Sequence, residues 1–222
     1  MTERRAKSLA IAGVCLGFVL AGAAAEVVLF PRVVPKYLKQ LKDSPPPTLS
    51  QQQMEQLLAR VARQLEPELR TRLADAVLTE SVRAGYDPLF ILALVAVESR
   101  FRISVSSDRG AYGLMQLKPS TFAWIAGREP DLDDDAAVME DPVLDVRLAV
   151  RYFHWLEHRF HTRNDALMAY NAGPHRLQQY KKSQIPDSLR EYPKRVMREY
   201  ARFVKMVNTG VDTGGVMIAR VN

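Results

Sequence analysis

From residue 8 to residue 30 the chain reads SLAIAGVCLGFVLAGAAAEVVLF, apolar throughout and uncharged until Glu26, behind the basic start MTERRAK. The pattern supports two readings. One is a secretory signal peptide, with the small residues of AGAAA offering a cleavage point. The other is an uncleaved membrane anchor, because the run matches the ~20 apolar residues that cross a bilayer. Arg4, Arg5 and Lys7 favour an inside N-terminus, whereas Arg32, Lys36, Lys39 and Lys42 lie just past the span and weaken that bias. The length of the run favours the anchor, and both readings export the remainder of the chain. Residues 31–50 lose all apolar periodicity, and Pro45-Pro46-Pro47 favours extended polyproline geometry, so this stretch reads as a Pro-rich tether.

Helical spacing begins after that tether. Residues 51–79 read as a helical N-terminal extension divided by Pro67, with Leu69, Leu73, Val77 and Val82 on one stripe. Asp87-Pro88 has the form of an N-cap followed by a first-turn proline. The segment it opens, PLFILALVAVES, is apolar all round, which predicts a central helix. RISVSSDRGAYG is rich in Ser and Gly and reads as a loop or small hairpin, and Pro119 then opens a short helix. The acidic stretch EPDLDDDAAVMED reads as an exposed connection. Asp141-Pro142 begins a long amphipathic helix with Leu144, Leu148, Tyr152, Trp155, Leu156 and Phe160 on one face. NDALMAYNAG is a short helix stopped by Gly173, Pro174 starts the next, and DSLREYPKRVMREYARFVKMV makes the last, with Pro193 expected in its first turn. The predicted class is mainly α, with at most a small β-hairpin near residues 103–117.

Composition narrows the chemistry. Net charge is +6 over 222 residues, an excess that a solvated surface explains, so charge alone selects no nucleic-acid or membrane partner. Cys15 is the only cysteine and lies in the apolar run, so the exported part can form no internal disulfide and has no thiol nucleophile. A lipid-attachment role for Cys15 is disfavoured by Val14 before it. His154 and His158 stand at i, i+4 without an obvious third ligand, so no metal and no cofactor is expected.

One residue conflicts with its surroundings. Glu98 ends an almost wholly apolar run, where ionisation is penalised and the acid form is favoured near neutral pH. Such a carboxyl suits the delivery of a proton to a poor leaving group.

Around Glu98-Ser99 lie Gly113-Leu114-Met115-Gln116, then Ala169-Tyr170-Asn171-Ala172-Gly173, then Tyr192. Each motif is weak alone, but in this order and spacing residues 80–207 resemble the soluble-lytic-transglycosylase-type muramidases of the lysozyme-like superfamily. That resemblance implies an α+β lysozyme-like catalytic domain over 80–207, followed by a tail at 208–222. It implies a peptidoglycan lytic transglycosylase, a carbon–oxygen lyase that breaks the β-1,4 bond between N-acetylmuramic acid and N-acetylglucosamine. Glu98 would act first as acid and then as base, drawing a proton from the muramic acid's C6 hydroxyl to close a 1,6-anhydro ring. Ser99, Ser107, Gln116, Tyr170, Asn171 and Tyr192 would bind or orient the glycan, with Met115 as apolar cleft wall. Ser99 is open to a second role, a hydrogen bond at its helix end, and Tyr192 to a role in the core. Trp124 and Trp155 could stack on sugars, although their helical spacing favours the core.

A hydrolytic muramidase remains the alternative, and Asp108 is its candidate second carboxylate. A noncatalytic wall-binding or assembly protein is the other. The implied partners are peptidoglycan strands and the inner membrane through residues 1–30, in the periplasm or cell envelope, and not nucleic acid. The residues leave open endo or exo cleavage, and whether the activity serves wall turnover or a secretion or motility machine.

Overall fold

The computed structural model describes residues 49–129, 131–132 and 140–210. The apolar N-terminal run, nearly all of the tether, Cys15 and the tail from 211 lie outside the described residues. Among those described, no helix is long and apolar enough to cross a membrane.

Eight helices follow in order among the described residues: α1 (Gln51–Val61), α2 (Pro67–Ala84), α3 (Pro88–Glu98), α4 (Pro119–Ala126), α5 (Pro142–Phe160), α6 (Arg163–Ala172), α7 (Pro174–Lys182) and α8 (Asp187–Gly210). Five of them start at a proline, which supplies a preset φ where its missing N–H costs nothing. Ser50 caps α1 through a reciprocal pair of hydrogen bonds with Gln53. Asp87 accepts the Leu89 N–H at 2.8 Å to start α3. No strand occurs among the described residues. The hairpin expected near 103–117 is reduced to two isolated bridges, Ser106 with Tyr112 and Tyr112 with Leu117.

Helix α3 is the hub, buried from Pro88 through Ala96. It packs against α8 and α2, while α5 packs against α2, α4 and α6. Tyr86, Phe90 and Phe153 knit α3 to α5, with ring centroids 5.4–5.8 Å apart. At the far end of α3 the Asp87 carboxyl accepts the Tyr200 O–H at 2.6 Å, tying α8 to the start of the central helix. The same helix therefore has each end bonded to α8, since Tyr192 reaches Glu98 at its other end.

Three expectations need correction. Val82 is 81% exposed, because it falls off the buried face of α2, which runs on from Leu73 and Val77 through Glu80 and Ser81. Pro193 lies in the second turn of α8, not the first, and the helix runs through it, since the buried ring packs inward and forgoes only one backbone bond. The acidic connection is not simply solvated. Arg151 of α5, itself buried, donates to Glu80 of α2 at 2.9 and 3.1 Å, and to Glu129 and Asp131 at 2.7 Å. Arg83 adds a bond to Asp131 at 2.8 Å, so the start of the acidic stretch is pinned to the core.

Candidate active site

Helix α3 ends at Glu98, and the next two turns of chain are unusual. Arg100 and Phe101 both have positive φ, 54° and 60°, which reverses the chain and leaves the end of α3 facing a cleft. That cleft, a cavity of about 260 Å³, lies between the 107–121 segment, α5 and the α6–α7 junction. Glu98 is the only carboxylate among its described lining residues, which otherwise include Arg109, Lys118 and Arg176. A second hollow of about 210 Å³ continues it, sharing Arg109, Asn171, Ala172 and Arg176.

Burial is the main influence on Glu98 and pushes its pKa up to about 7. Against burial act the Tyr192 O–H, which donates to Glu98 Oε1, and the positive charge of Arg195. Asp145 acts with burial, as a like charge. Tyr192 is 1% exposed, and its hydroxyl is held in the acid form by burial and by the Glu98 charge. It is therefore a fixed donor to the carboxyl.

The opposite wall is built by the Gly113–Gln116 segment. Gly113 has φ +84°, and a Cβ there would lie 2.6 Å from Asp145 Oδ2, so only glycine admits that carboxylate. Asp145 Oδ2 accepts the Met115 N–H at 2.8 Å, and the Leu114 N–H also donates to this carboxylate. The Met115 carbonyl accepts the Tyr170 O–H at 2.8 Å. The Met115 peptide is thus held from both sides, by α5 and by α6. Gln116 follows at φ +52°, a strained position for a residue with a side chain. Its Nε2 donates to the carbonyls of Val105 and Gly113 at 2.8 and 2.9 Å, which locks the side chain at the cleft.

Of the residues singled out in the sequence, Glu98, Ser107, Gln116, Tyr170 and Asn171 line the cleft together. Ser107 also accepts the Ala111 N–H at 3.0 Å, shaping its own loop. Tyr192 sits behind Glu98, bonded to it but off the cleft wall. Ser99 is 1% exposed and donates to the Val95 carbonyl at 3.3 Å, the helix-end role. Met115 is a correction: its side chain is fully buried, because the clamp on its peptide turns that side chain into the core, and it forms no cleft wall. Asp108 is exposed and does not line the cleft. Trp124 and Trp155 pack on each other with centroids 4.9 Å apart and are likewise not on its wall. His154 and His158 approach to 3.0 Å, and no group of three metal-ligating side chains occurs among the described residues.

Sequence reading missed Asp145. The signal was available, since Asp145 falls on the same face of α5 as Leu148, Ala149, Tyr152 and Leu156, an acid on a buried stripe. It also missed Arg109, Lys118, Thr121 and Arg176 on the wall, whose placement depends on loop geometry.

Known proteins place this architecture. The chain is similar to the endo-type membrane-bound lytic murein transglycosylase A of Klebsiella pneumoniae, with 37% identity over 75 residues. That match covers 33% of this chain and 37% of the relative, so the alignment spans little more than a third of the curated protein's length. The fold resembles an inactive mutant of the lytic transglycosylase Slt from Pseudomonas aeruginosa, with a TM-score of 0.52 and 22% identity over 72% of this chain and 31% of that one. It also resembles the 70-kDa soluble lytic transglycosylase of Escherichia coli, with a TM-score of 0.52 and 21% identity over 70% of this chain and 30% of that one. The pattern of the Transglycosylase SLT domain matches residues 75–191, more than half of the chain and the region that holds Glu98, the clamped glycine segment and Tyr170. The chain belongs to the transglycosylase SLT domain family.

Proposed function

We propose that this protein is a peptidoglycan lytic transglycosylase that breaks the β-1,4 bond between N-acetylmuramic acid and N-acetylglucosamine without water, leaving 1,6-anhydro ends. The observation that carries the reading is a cleft with one carboxylate among its described lining residues, Glu98, whose pKa is pushed up to about 7 by burial. At neutral pH a substantial fraction of that carboxyl holds its proton and can deliver it to the bridging oxygen. With no second acid on the wall among the described residues, the nucleophile comes from the substrate: the muramic acid's acetamido oxygen assists departure of the leaving sugar. Glu98, now a carboxylate stabilised by the Tyr192 O–H, then takes the proton of the C6 hydroxyl as that oxygen closes on C1. The proton that Glu98 gave is thereby replaced, and no water is consumed.

Gln116, Ser107, Tyr170 and Asn171 are the proposed glycan contacts, since all of them line the same cleft as Glu98. Residues 80–207 are the proposed catalytic unit, with 51–79 as an extension whose second helix packs on α5. The family kinship and the murein-directed activity in the Klebsiella relative's name support a cell-envelope substrate. Export, with residues 1–30 as anchor or signal, is part of the same proposal and rests on the sequence pattern alone.

The test is digestion of purified peptidoglycan by the wild type and by Glu98→Gln, with products resolved by mass. Wild type should release 1,6-anhydro ends, and Glu98→Gln should lose at least ~100-fold in rate. The Pseudomonas structure, described as an inactive Glu-to-Gln mutant, makes this substitution the apt one. Reducing ends would establish a hydrolytic muramidase instead, and undiminished release by Glu98→Gln would remove Glu98 from the chemistry.

A further inference from the structure

The buried carboxylate of Asp145 has no part in the proton transfers proposed for Glu98, yet it lies within electrostatic reach of them. Asp145 is 2% exposed, and its two oxygens have unequal fates. Oδ2 accepts the Met115 N–H at 2.8 Å and fills the space a side chain at Gly113 would need. Oδ1 is buried with no hydrogen-bond partner. A buried carboxylate in a purely structural role is ordinarily satisfied at both oxygens, because leaving a buried acceptor unpaired forfeits its hydration without replacement. The Tyr170 phenol, whose O–H holds the other side of the Met115 peptide, lies within electrostatic reach of both Asp145 and Glu98.

We propose that Asp145 is a positioning residue for the reaction: its carboxylate fixes the Leu114–Met115 backbone that presents Gln116 to the cleft, and it is coupled to Glu98 as a second acid behind the first. The coupling half of this inference rests on the transglycosylase reading, and the backbone clamp does not. Two like charges in one buried region resist joint ionisation, so each carboxyl makes the other keep its proton to higher pH. The direction agrees with the charge of Asp145 raising Glu98, while Asp145 itself is raised by its burial. The other charged or titratable groups facing Glu98 among the described residues are Tyr192 and Arg195 from α8, Tyr152 from α5, Tyr170 from α6, Arg176 from α7, and Arg109 and Lys118 from the loop. Of these the Tyr192 donor and the Arg195 charge act on Glu98 in the sense opposite to Asp145.

The experiment separates clamp from charge. Asp145→Ala removes both, so KM for peptidoglycan should rise several-fold as Gln116 loses its support. Asp145→Asn keeps an oxygen for the two amides but no charge, so KM should return towards wild type. Its alkaline limb of kcat/KM against pH should nevertheless move to lower pH. A displacement of roughly half a unit corresponds to about threefold less activity on the alkaline side. Coupling is reciprocal, so the Asp145 carboxyl followed by carbon-13 NMR should titrate at lower pH in Glu98→Gln than in wild type, and this arm needs no folded Asp145 variant. Wild-type KM in Asp145→Ala overturns the clamp. Superimposed limbs in Asp145→Asn, or identical Asp145 titrations in wild type and Glu98→Gln, overturn the coupling. Full activity in Glu98→Gln overturns the transglycosylase mechanism itself, a result distinct from either.

Discussion

Removing the Tyr192 hydroxyl tests how the site holds its proton. Tyr192→Phe keeps the ring, which is 1% exposed, and deletes the donor to Glu98 Oε1. A hydrogen bond to a charged group contributes ~1.5–3 kcal/mol, which corresponds to roughly 1–2 pH units. This donor favours the ionised form, so its loss raises the Glu98 pKa above its present value of about 7. The alkaline limb of kcat/KM, where Glu98 loses the proton it must deliver, should therefore move up by roughly 1–2 units.

The same deletion makes proton delivery harder. Once Glu98 has protonated the bridging oxygen it becomes a carboxylate, and in the variant that charge has no Tyr192 donor. If the whole ~1.5–3 kcal/mol is felt in the transition state, the plateau falls by roughly 10- to 100-fold. The assay is release of anhydro products from purified peptidoglycan across pH 4–10, with melting followed at each pH to hold the fold constant. A lowered plateau and a limb displaced upward are expected together. A lowered plateau with an unmoved limb would mean that Tyr192 acts on the sugar and not on Glu98. An unchanged plateau and limb would reduce it to a packing residue, and a limb moved downward would reverse the sign of the argument.

Two further outcomes are expected from the packing. Gly113→Ala places a Cβ 2.6 Å from Asp145 Oδ2 at a φ of +84°, so stability should fall by roughly 2–5 kcal/mol from strain and overpacking together; a urea midpoint equal to wild type would contradict that close approach. Arg151→Met strands Glu80, which is 2% exposed, and should cost ~3–5 kcal/mol in urea unfolding. The double variant Arg151→Met, Glu80→Leu should recover most of that loss, and failure to recover would show that Glu129 and Asp131 matter more than the buried pair.

The helical frame is legible because its signals are local. Asp87-Pro88 and Asp141-Pro142 combine an Asx cap with a first-turn proline, and both start helices where the pattern puts them. The all-round apolarity of PLFILALVAVES predicts the hub, since a helix without a polar face has nowhere else to go. Glu98 is legible for the same reason, as the one acid at the end of that hub. Local signals fail where the outcome depends on distant partners. Glu129 and Asp131 look like solvated acids until Arg151 is found among them. Met115 looks like a candidate wall residue, but the bonds from Asp145 and Tyr170 fix its peptide and send its side chain inward. Asp145 sits 47 residues from Glu98 and 30 from Met115, and no periodicity joins positions so separated.

The places where ordinary rules break converge on one volume. Arg100 and Phe101 take left-handed backbone directly after Glu98, and Gln116 does so across the cleft. Gly113 is open only to glycine, Asp145 leaves an oxygen unpaired, and Glu98 is shifted towards its neutral form. Each departure is unfavourable alone, and a chain selected for stability only would shed them through small changes: a longer α3, a glycine at 116, an amide at 145. Departures from local consistency that cluster in this way mark function rather than accident. Here they share a single effect. The reversal after α3 exposes the Glu98 carboxyl to a cleft without letting solvent surround it, and the clamped segment opposite holds a polar wall at a fixed distance from it. An acid that must hold a proton at neutral pH, give it up, and take one back needs an environment in which neither form is strongly preferred. Burial together with the like charge of Asp145 on one side, and the Tyr192 donor with the Arg195 charge on the other, produce that near-balance.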